Sequence, residues 1–440
     1  MTTSEPRSLA ALIPFLVFVS IFLGAGIYYD DFYALPSPIA AVMGIITAFI
    51  MLRGSMKQKT TTFLEGCGNR NILTMCIIYL LAGAFATVAK SIGSVDAIVN
   101  LGIHTLPPQY YAAGIFVTAS FLSLASGTSV GTIVALGPIA IGLANAGQCD
   151  VNVIGAALLG GAMFGDNLSI ISDTTIAATQ ILGCNMRDKF RNNMQFVLPA
   201  AFAAFLIYLH IGTGSIGTAA PQQGVDYASL ILVVPYLSVL LLAFLGVDVF
   251  VVLIIGILLS GIFGMVYKSL DVLSFGKGVY EGFTGMTEIF LLSLLTGGLA
   301  ALVEKAGGIN AVVHLIKARI SGSRSALLGI GGFVGAVDAA IANNTISIVI
   351  VGNVSKSITK EYRIKSRATA SILDTFSCIV QGLIPYGAQV LILVGYSANT
   401  ISYPELVKNS FYLFLLFVAT LIYISFGKIT GKERDVRVYK

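Results

Sequence analysis

The sequence predicts an all-α integral membrane protein made of two inverted-topology repeats, with about ten spans, two re-entrant hairpins and two discontinuous spans. Three observations predict it. First, 56% of the 440 residues are hydrophobic and 11% are charged, with a mean hydropathy of +0.89, whereas an average soluble domain is about 25% charged. Too few charged groups exist to coat a water-soluble particle, which excludes a soluble enzyme, a nucleic-acid module and a disordered tail protein. Second, apolar runs long enough to span a bilayer recur along the chain. Third, the second half of the chain repeats the pattern of the first.

Apolar segments of spanning length lie near 9–28, 36–52, 71–91, 194–211, 228–246, 247–266, 285–304 and 408–427. The first follows a single positive charge and lacks an evident cleavage site, so it reads as an uncleaved span rather than a signal peptide. Stretches 110–147 and 324–358 are too long for one crossing and carry small polar residues at their middles. These are Ser126-Gly127-Thr128-Ser129 in one and Ala342-Asn343-Asn344-Thr345 in the other. Two arms of about 14 residues would each cover only about two-thirds of the hydrocarbon core. That arithmetic predicts a re-entrant hairpin at each. Stretches 151–182 and 367–398, also polar in the middle, read as single spans with unwound centres.

The repeat is visible in the residues. Gly83 to Leu101 lines up with Gly297 to Leu315 at an offset of 214, and Glu65-Gly66 with Glu281-Gly282 at an offset of 216. Residues 1–70 hold two scaffold spans and 71–212 the rest of the first repeat; 213–284 hold a linker and scaffold spans, and 285–440 the rest of the second repeat. Each half crosses an odd number of times, so the halves take opposite orientations. With the chain starting in the cytoplasm, 22 of the 26 Lys and Arg fall on the cytoplasmic side, including Arg7, Lys189, Lys317, Arg319, Lys432, Arg434, Arg437 and Lys440. That skew predicts a multi-pass protein of a prokaryotic cytoplasmic membrane, surrounded by lipid, with both termini cytoplasmic. A homodimer is compatible with such a chain, and the sequence leaves the oligomeric state open.

The segment Gly165-Asp166-Asn167-Leu168-Ser169-Ile170-Ile171-Ser172-Asp173-Thr174-Thr175 places two carboxylates and four hydroxyls mid-membrane. A charged group there costs at least about 2.5–3.5 kcal/mol, so the carboxylates are expected to face a cavity or partners. Carboxylates, hydroxyls and unwound carbonyls suit a hard cation such as Na+, by analogy with the divalent hard ions. A buried carboxyl can also be neutralised by a proton. Asp166 and Asp173 are therefore the expected Na+ ligands, with Ser169, Ser172 and Thr174 as neutral donors. The plain alternative is that the acids and serines only cap the two half-helices.

Ser126, Thr128 and Ser129 at the first hairpin tip, and Asn343 and Asn344 at the second, are expected to meet the breaks, since bare backbone survives at that depth only against protein or water. Asp374 is read as the second half's counterpart of Asp166, and Asp338 as a carboxylate near the second tip. The five cysteines form no CxxC pair, and the three histidines form no ligand spacing. Gly127-Thr128-Ser129-Val130-Gly131 matches a nucleophile elbow, but that motif needs a strand, a turn and a histidine base. No nucleophile, base and metal set for an enzyme emerges. No cofactor is expected beyond Na+ and H+ as coupling ions.

These stretches resemble the NhaC-type sodium/proton antiporter family, within the wider ion transporter superfamily. GDNLSIISDTT is similar to its GDxxSPxSDTT signature. Ser126 to Thr132 resembles its SGTSxGT stretch, and Asp374-Thr375 with Leu383-Ile384-Pro385-Tyr386 its later acidic and LIPW segments. Ile170 stands where the family has Pro, Tyr386 where it has Trp and Gly387 where it has Asn. The resemblance implies a secondary transporter coupled to Na+ and H+, most simply a Na+/H+ antiporter working by alternating access. The alternative it leaves open is an ion-coupled exchanger of an amino acid or small organic acid. A channel is the competing class, distinguished by the lack of exchange stoichiometry.

Overall fold

The computed structural model describes residues 8–29, 34–147, 149–214, 229–268, 270–308, 311 and 320–431, and every regular element among them is helical. Arg7, Lys317, Arg319, Lys432, Arg434, Arg437 and Lys440 lie outside the described residues, as does most of the repeat segment after Gly308. Among the described residues, nine helices are long and apolar enough to cross a membrane, including Arg70–Ser91, Val151–Leu182, Thr287–Lys305 and Ser366–Tyr396. Shorter apolar helices include Ser37–Met51 and Phe411–Phe426.

Both long polar-centred stretches are interrupted. Helix Val151–Leu168 stops at Ser169 and resumes as Asp173–Leu182; Ser366–Leu383 stops at Ile384 and resumes as Ala388–Tyr396. Pro385 follows the second stop, where a missing N–H ends the ladder. In the first, serines do this work. The Ser169 hydroxyl donates to the Leu124 carbonyl at 2.9 Å and accepts from the Ile171 amide at 3.3 Å, so the extended backbone at Ser169 is held from both sides.

The hairpins are Tyr111–Ser126 with Ser129–Ala146, and Ser323–Ile341 with Asn344–Glu361. Their arms are longer than the expected arms of about 14 residues, because each tip is closed by only two residues. Gly127 turns the first tip in the left-handed region (φ 71), and Thr128 caps the next helix by accepting from the Gly131 amide at 3.2 Å. Ala342 (φ 54) and Asn343 do the same at the second tip, with Asn343 accepting from Ile346 at 3.0 Å. Ser129–Ala146 and Ser323–Ile341 are each long enough to cross. Arm length therefore does not separate a re-entrant hairpin from a pair of crossing helices.

The first tip docks through glycines. A Cβ on Gly161 would stand 2.3 Å from the Phe116 carbonyl, and one on Gly165 2.5 Å from the Leu124 amide. Four residues apart, these two let the arm Tyr111–Ser126 lie backbone-to-backbone on the half-helix Val151–Leu168, as small residues do between membrane helices. The Ser123 hydroxyl crosses this seam to the Ala162 carbonyl at 2.6 Å. The contact fixes the hairpin tip beside the break.

Two elements depart from the expected segments. Helix Met186–Gly214 starts well ahead of the expected span at 194, its first turn opened by Asn185, which accepts from the Arg187 amide at 2.8 Å. The early start carries Lys189 into the protein instead of leaving it in a loop. A polar helix, Met56–Cys67, sits ahead of Arg70–Ser91, started by a Ser55–Gln58 capping box and pinned by Lys305, which donates to Thr62 at 2.7 Å.

Candidate functional site

Successive side chains at the first break face two different clusters. Asp166 and Thr174 turn one way, Asn167 and Thr175 the other.

Asp166 is 4% exposed. Its Oδ2 accepts from the Ser129 hydroxyl at 2.6 Å and from the Ser129 amide at 3.4 Å; its Oδ1 accepts from the Ser172 hydroxyl at 2.5 Å. Ser172 pairs with Thr174 at 2.8 Å. The carboxylate thus spans the gap from the hairpin tip to the restart of the broken helix. Among the described residues no basic side chain forms an ion pair with it. A charge in such a place needs a mobile counter-ion or a proton.

Two glutamines extend this cluster to the second half. Gln389 donates to the Ser129 hydroxyl at 3.1 Å; Gln381 donates to Gln389 at 2.9 Å and to the Ala342 carbonyl, at the second tip, at 3.2 Å. Both are 2% exposed. Neither was expected from the sequence. The signal available was a pair of amides on either side of the break at Ile384 to Gly387.

The other cluster is built on an ion pair. The Lys189 ammonium donates to the Asp374 carboxylate, to the Asn167 carbonyl at 2.8 Å and to the Thr175 hydroxyl at 2.7 Å. Asn167 donates to Asp374 at 3.1 Å, and Asn193 to the Asn167 carbonyl at 3.0 Å. Two expectations change here. Lys189, read as a loop cation, is 1% exposed. By the spacing of the two breaks, Asp374 does not align with Asp166. Val151 and Ser366, Leu168 and Leu383, and Asp173 and Ala388 begin, end and resume the broken helices 215 residues apart, which puts Gln381 opposite Asp166.

The remaining candidates divide by burial. Ser169 holds the break rather than joining the Asp166 cluster, through the bonds already described. Asp338 is fully buried; the Ser347 hydroxyl reaches its Oδ1 at 3.4 Å, and its Oδ2 has no hydrogen-bond partner among the described residues. Asn344 is buried and accepts from the Thr345 amide at 2.9 Å. Asp173 is exposed, unlike the buried Asp166 across the break. It lines a cavity of about 460 Å³ with Ser126, Thr128, Asp248 and Asn343. A second cavity, about 740 Å³, is lined by Lys90, Asp96, Asn100, Asn145 and Ser397. The two are lined by opposite halves of Arg70–Ser91: the smaller by Asn71, Thr74, Met75 and Ile78, the larger by Gly83, Ala86, Thr87 and Lys90. That helix is about 33 Å long at its rise per residue.

A family model described as the Na+/H+ antiporter family matches residues 8–213 and 224–429. The malate-2H+/Na+-lactate antiporter of Bacillus subtilis is 22% identical, over 96% of this chain and 96% of its own. The Na+/H+ antiporter NhaC of Alkalihalophilus pseudofirmus is 23% identical over 82% of this chain and 83% of its own. The Na+/H+ antiporter NhaC of Bacillus subtilis is 25% identical, with 82% and 84% covered.

Proposed function

We propose that this chain, which belongs to the Na+/H+ antiporter family, exchanges Na+ for H+ at the carboxylate of Asp166. It is a multi-pass membrane transporter, not a member of an enzyme class. The observation that carries the site assignment is a buried carboxylate with hydroxyl donors from both the hairpin tip and the restarted helix, and no fixed cation paired to it among the described residues. Na+ there takes Asp166, Ser129 and Ser172 as oxygen ligands. A proton on Asp166 removes the charge that holds the ion, so one site carries the two ions by turns. Asp173 and Asp248 give the smaller cavity an acidic wall that attracts cations toward it.

The mechanism is alternating access in two inverted repeats with re-entrant hairpins. Supporting it, left-handed turns recur at Gly93 and Gly307 (φ 83 and 85), and at Gly127 and Ala342. The first halves of both broken spans have 18 residues. Two cavities are lined by residues from opposite halves of the helix Arg70–Ser91. In this reading the hairpins and broken spans move against a scaffold of the other spans, and the termini face the cytoplasm of a bacterial cell.

The alternative cargo is a small organic acid carried with the same ions. The similarity to the malate-2H+/Na+-lactate antiporter over nearly the whole chain favours it, as does a cavity large enough for such a solute, with Lys90 on its wall. Proteoliposomes separate the two. An imposed Na+ gradient is expected to change internal pH without added solute. Proton movement that requires malate, lactate or an amino acid overturns the simple exchange and selects the alternative.

A further inference from the structure

The exchange at Asp166 makes no use of Lys189, yet Lys189 occupies the same break. Its ammonium is 1% exposed and has three oxygen partners: a backbone carbonyl released where the helix unwinds, the Thr175 hydroxyl and the Asp374 carboxylate. Carbonyl, hydroxyl and carboxylate are the donors a hard metal cation selects. An ammonium has three N–H groups and no acceptor, so these partners use all of its capacity. Asn193 and Asn167 brace the cage by bonds to the same carbonyl and carboxylate, at 3.0 and 3.1 Å. The stem runs from a separate helix, Met186–Gly214, so the cation is delivered from outside the broken span.

We propose that the Lys189 ammonium is a tethered cation permanently filling an alkali-ion site at the break, which balances Asp374 and leaves Asp166 as the carboxylate that exchanges. The inference rests on the Na+/H+ reading of Asp166. It also sets the charge moved per cycle: Asp374 and Lys189 travel as a neutral pair, and only the occupant of the Asp166 cluster changes.

The test is a count of alkali ions bound by the full chain purified in detergent, with radiolabelled Na+ and Rb+ in equilibrium dialysis. Lys189→Met keeps an apolar stem and empties the cage. It is expected to gain a saturable Na+ or Rb+ site absent from the wild type, and Lys189→Met combined with Asp374→Asn is expected to lose that gain. A folded, monodisperse Lys189→Met protein with no gained site overturns the proposal. Should the single variant be unstable without salt, its melting temperature is the readout: a rise with Na+ or Rb+ larger than the wild type's supports the proposal, and an equal or smaller rise overturns it. Asp166→Asn in the wild-type background is the separate control. Loss of wild-type Na+ binding there sustains the exchange site, and unchanged binding refutes that site whatever Lys189→Met shows.

Discussion

The side-chain amide of Gln389 donates to the hydroxyl of Ser129 at 3.1 Å, although the two stand 260 residues apart in sequence. The same hydroxyl donates to Asp166 at 2.6 Å. Gln389 belongs to the second broken span and Ser129 to the first hairpin tip, and Gln381 carries the line on to the second tip. An ion that draws on Ser129 therefore acts on groups of both halves. Gln389→Leu removes two neutral hydrogen bonds, the one it donates to Ser129 and the one it accepts from Gln381, together about 1–3 kcal/mol, or roughly five- to 150-fold. The loss is expected in maximal exchange rate more than in apparent Na+ affinity, because the amide touches the line between the halves and not Asp166 itself. Initial rates across Na+ concentrations in proteoliposomes read the split.

On the exchange proposed at Asp166, Asp166→Asn removes both the charge expected to hold Na+ and the group expected to take the proton. Exchange is expected to fall at least about a hundredfold, beyond the roughly 1.5–3 kcal/mol of one charge-assisted bond. Ser129→Ala and Ser172→Ala each delete one hydroxyl from the carboxylate and are expected to weaken apparent Na+ affinity about ten- to a hundredfold. Dye-reported pH changes over a Na+ titration measure both.

Competition for one carboxyl has a definite sign in pH. Where free Asp166 is mostly protonated, each unit of acidification makes Na+ displace ten times more competitor, so the apparent Na+ constant rises about tenfold per pH unit. At higher pH, where the carboxylate is already free, the constant levels off. A Na+ constant independent of pH across the acid range contradicts competition at one group.

Asp374 and Asp173 are expected to behave unlike Asp166. Asp374→Asn leaves the Lys189 ammonium buried without its counter-charge, at a cost of about 3–5 kcal/mol, seen as a lower melting temperature. Asp173 is exposed on a cavity wall, so Asp173→Asn is expected to lower exchange only a few-fold, with the deficit shrinking as ionic strength screens the wall.

The glycine seam gives a structural prediction. Gly165→Val places side-chain atoms where a Cβ alone already meets the Leu124 amide at 2.5 Å. Overpacking of this kind costs about 1–3 kcal/mol or more and pushes the tip off the break. Both thermal stability and exchange are expected to fall, whereas Gly114, with no neighbour within 4 Å of an added Cβ, is expected to tolerate Ala in both assays.

The tips and breaks were legible because polar residues inside apolar runs betray them: Ser126 to Ser129, and Gly165 to Thr175. The helical class followed from the same runs. What stayed hidden depends on direction and register. Ser172 and Asp173 are adjacent, yet one is buried against Asp166 and the other is exposed, and nothing in their order says which. Asp374 matched Asp166 by residue type, while the spacing of the broken helices aligns Asp166 with Gln381. Lys189 counted as a loop charge because a lysine beside a polar stretch reads as solvated; only its bonds at the break show otherwise.

The central claim is that one carboxyl, Asp166, holds either Na+ or a proton. Proton release on Na+ binding tests it most directly, by titrating purified protein with Na+ calorimetrically in two buffers of different ionisation enthalpy at an acidic pH. The account predicts that Na+ displaces a proton from the wild type, and that Asp166→Asn neither binds Na+ nor releases one. Na+ binding to the wild type with no proton released, or unchanged release from Asp166→Asn, contradicts it.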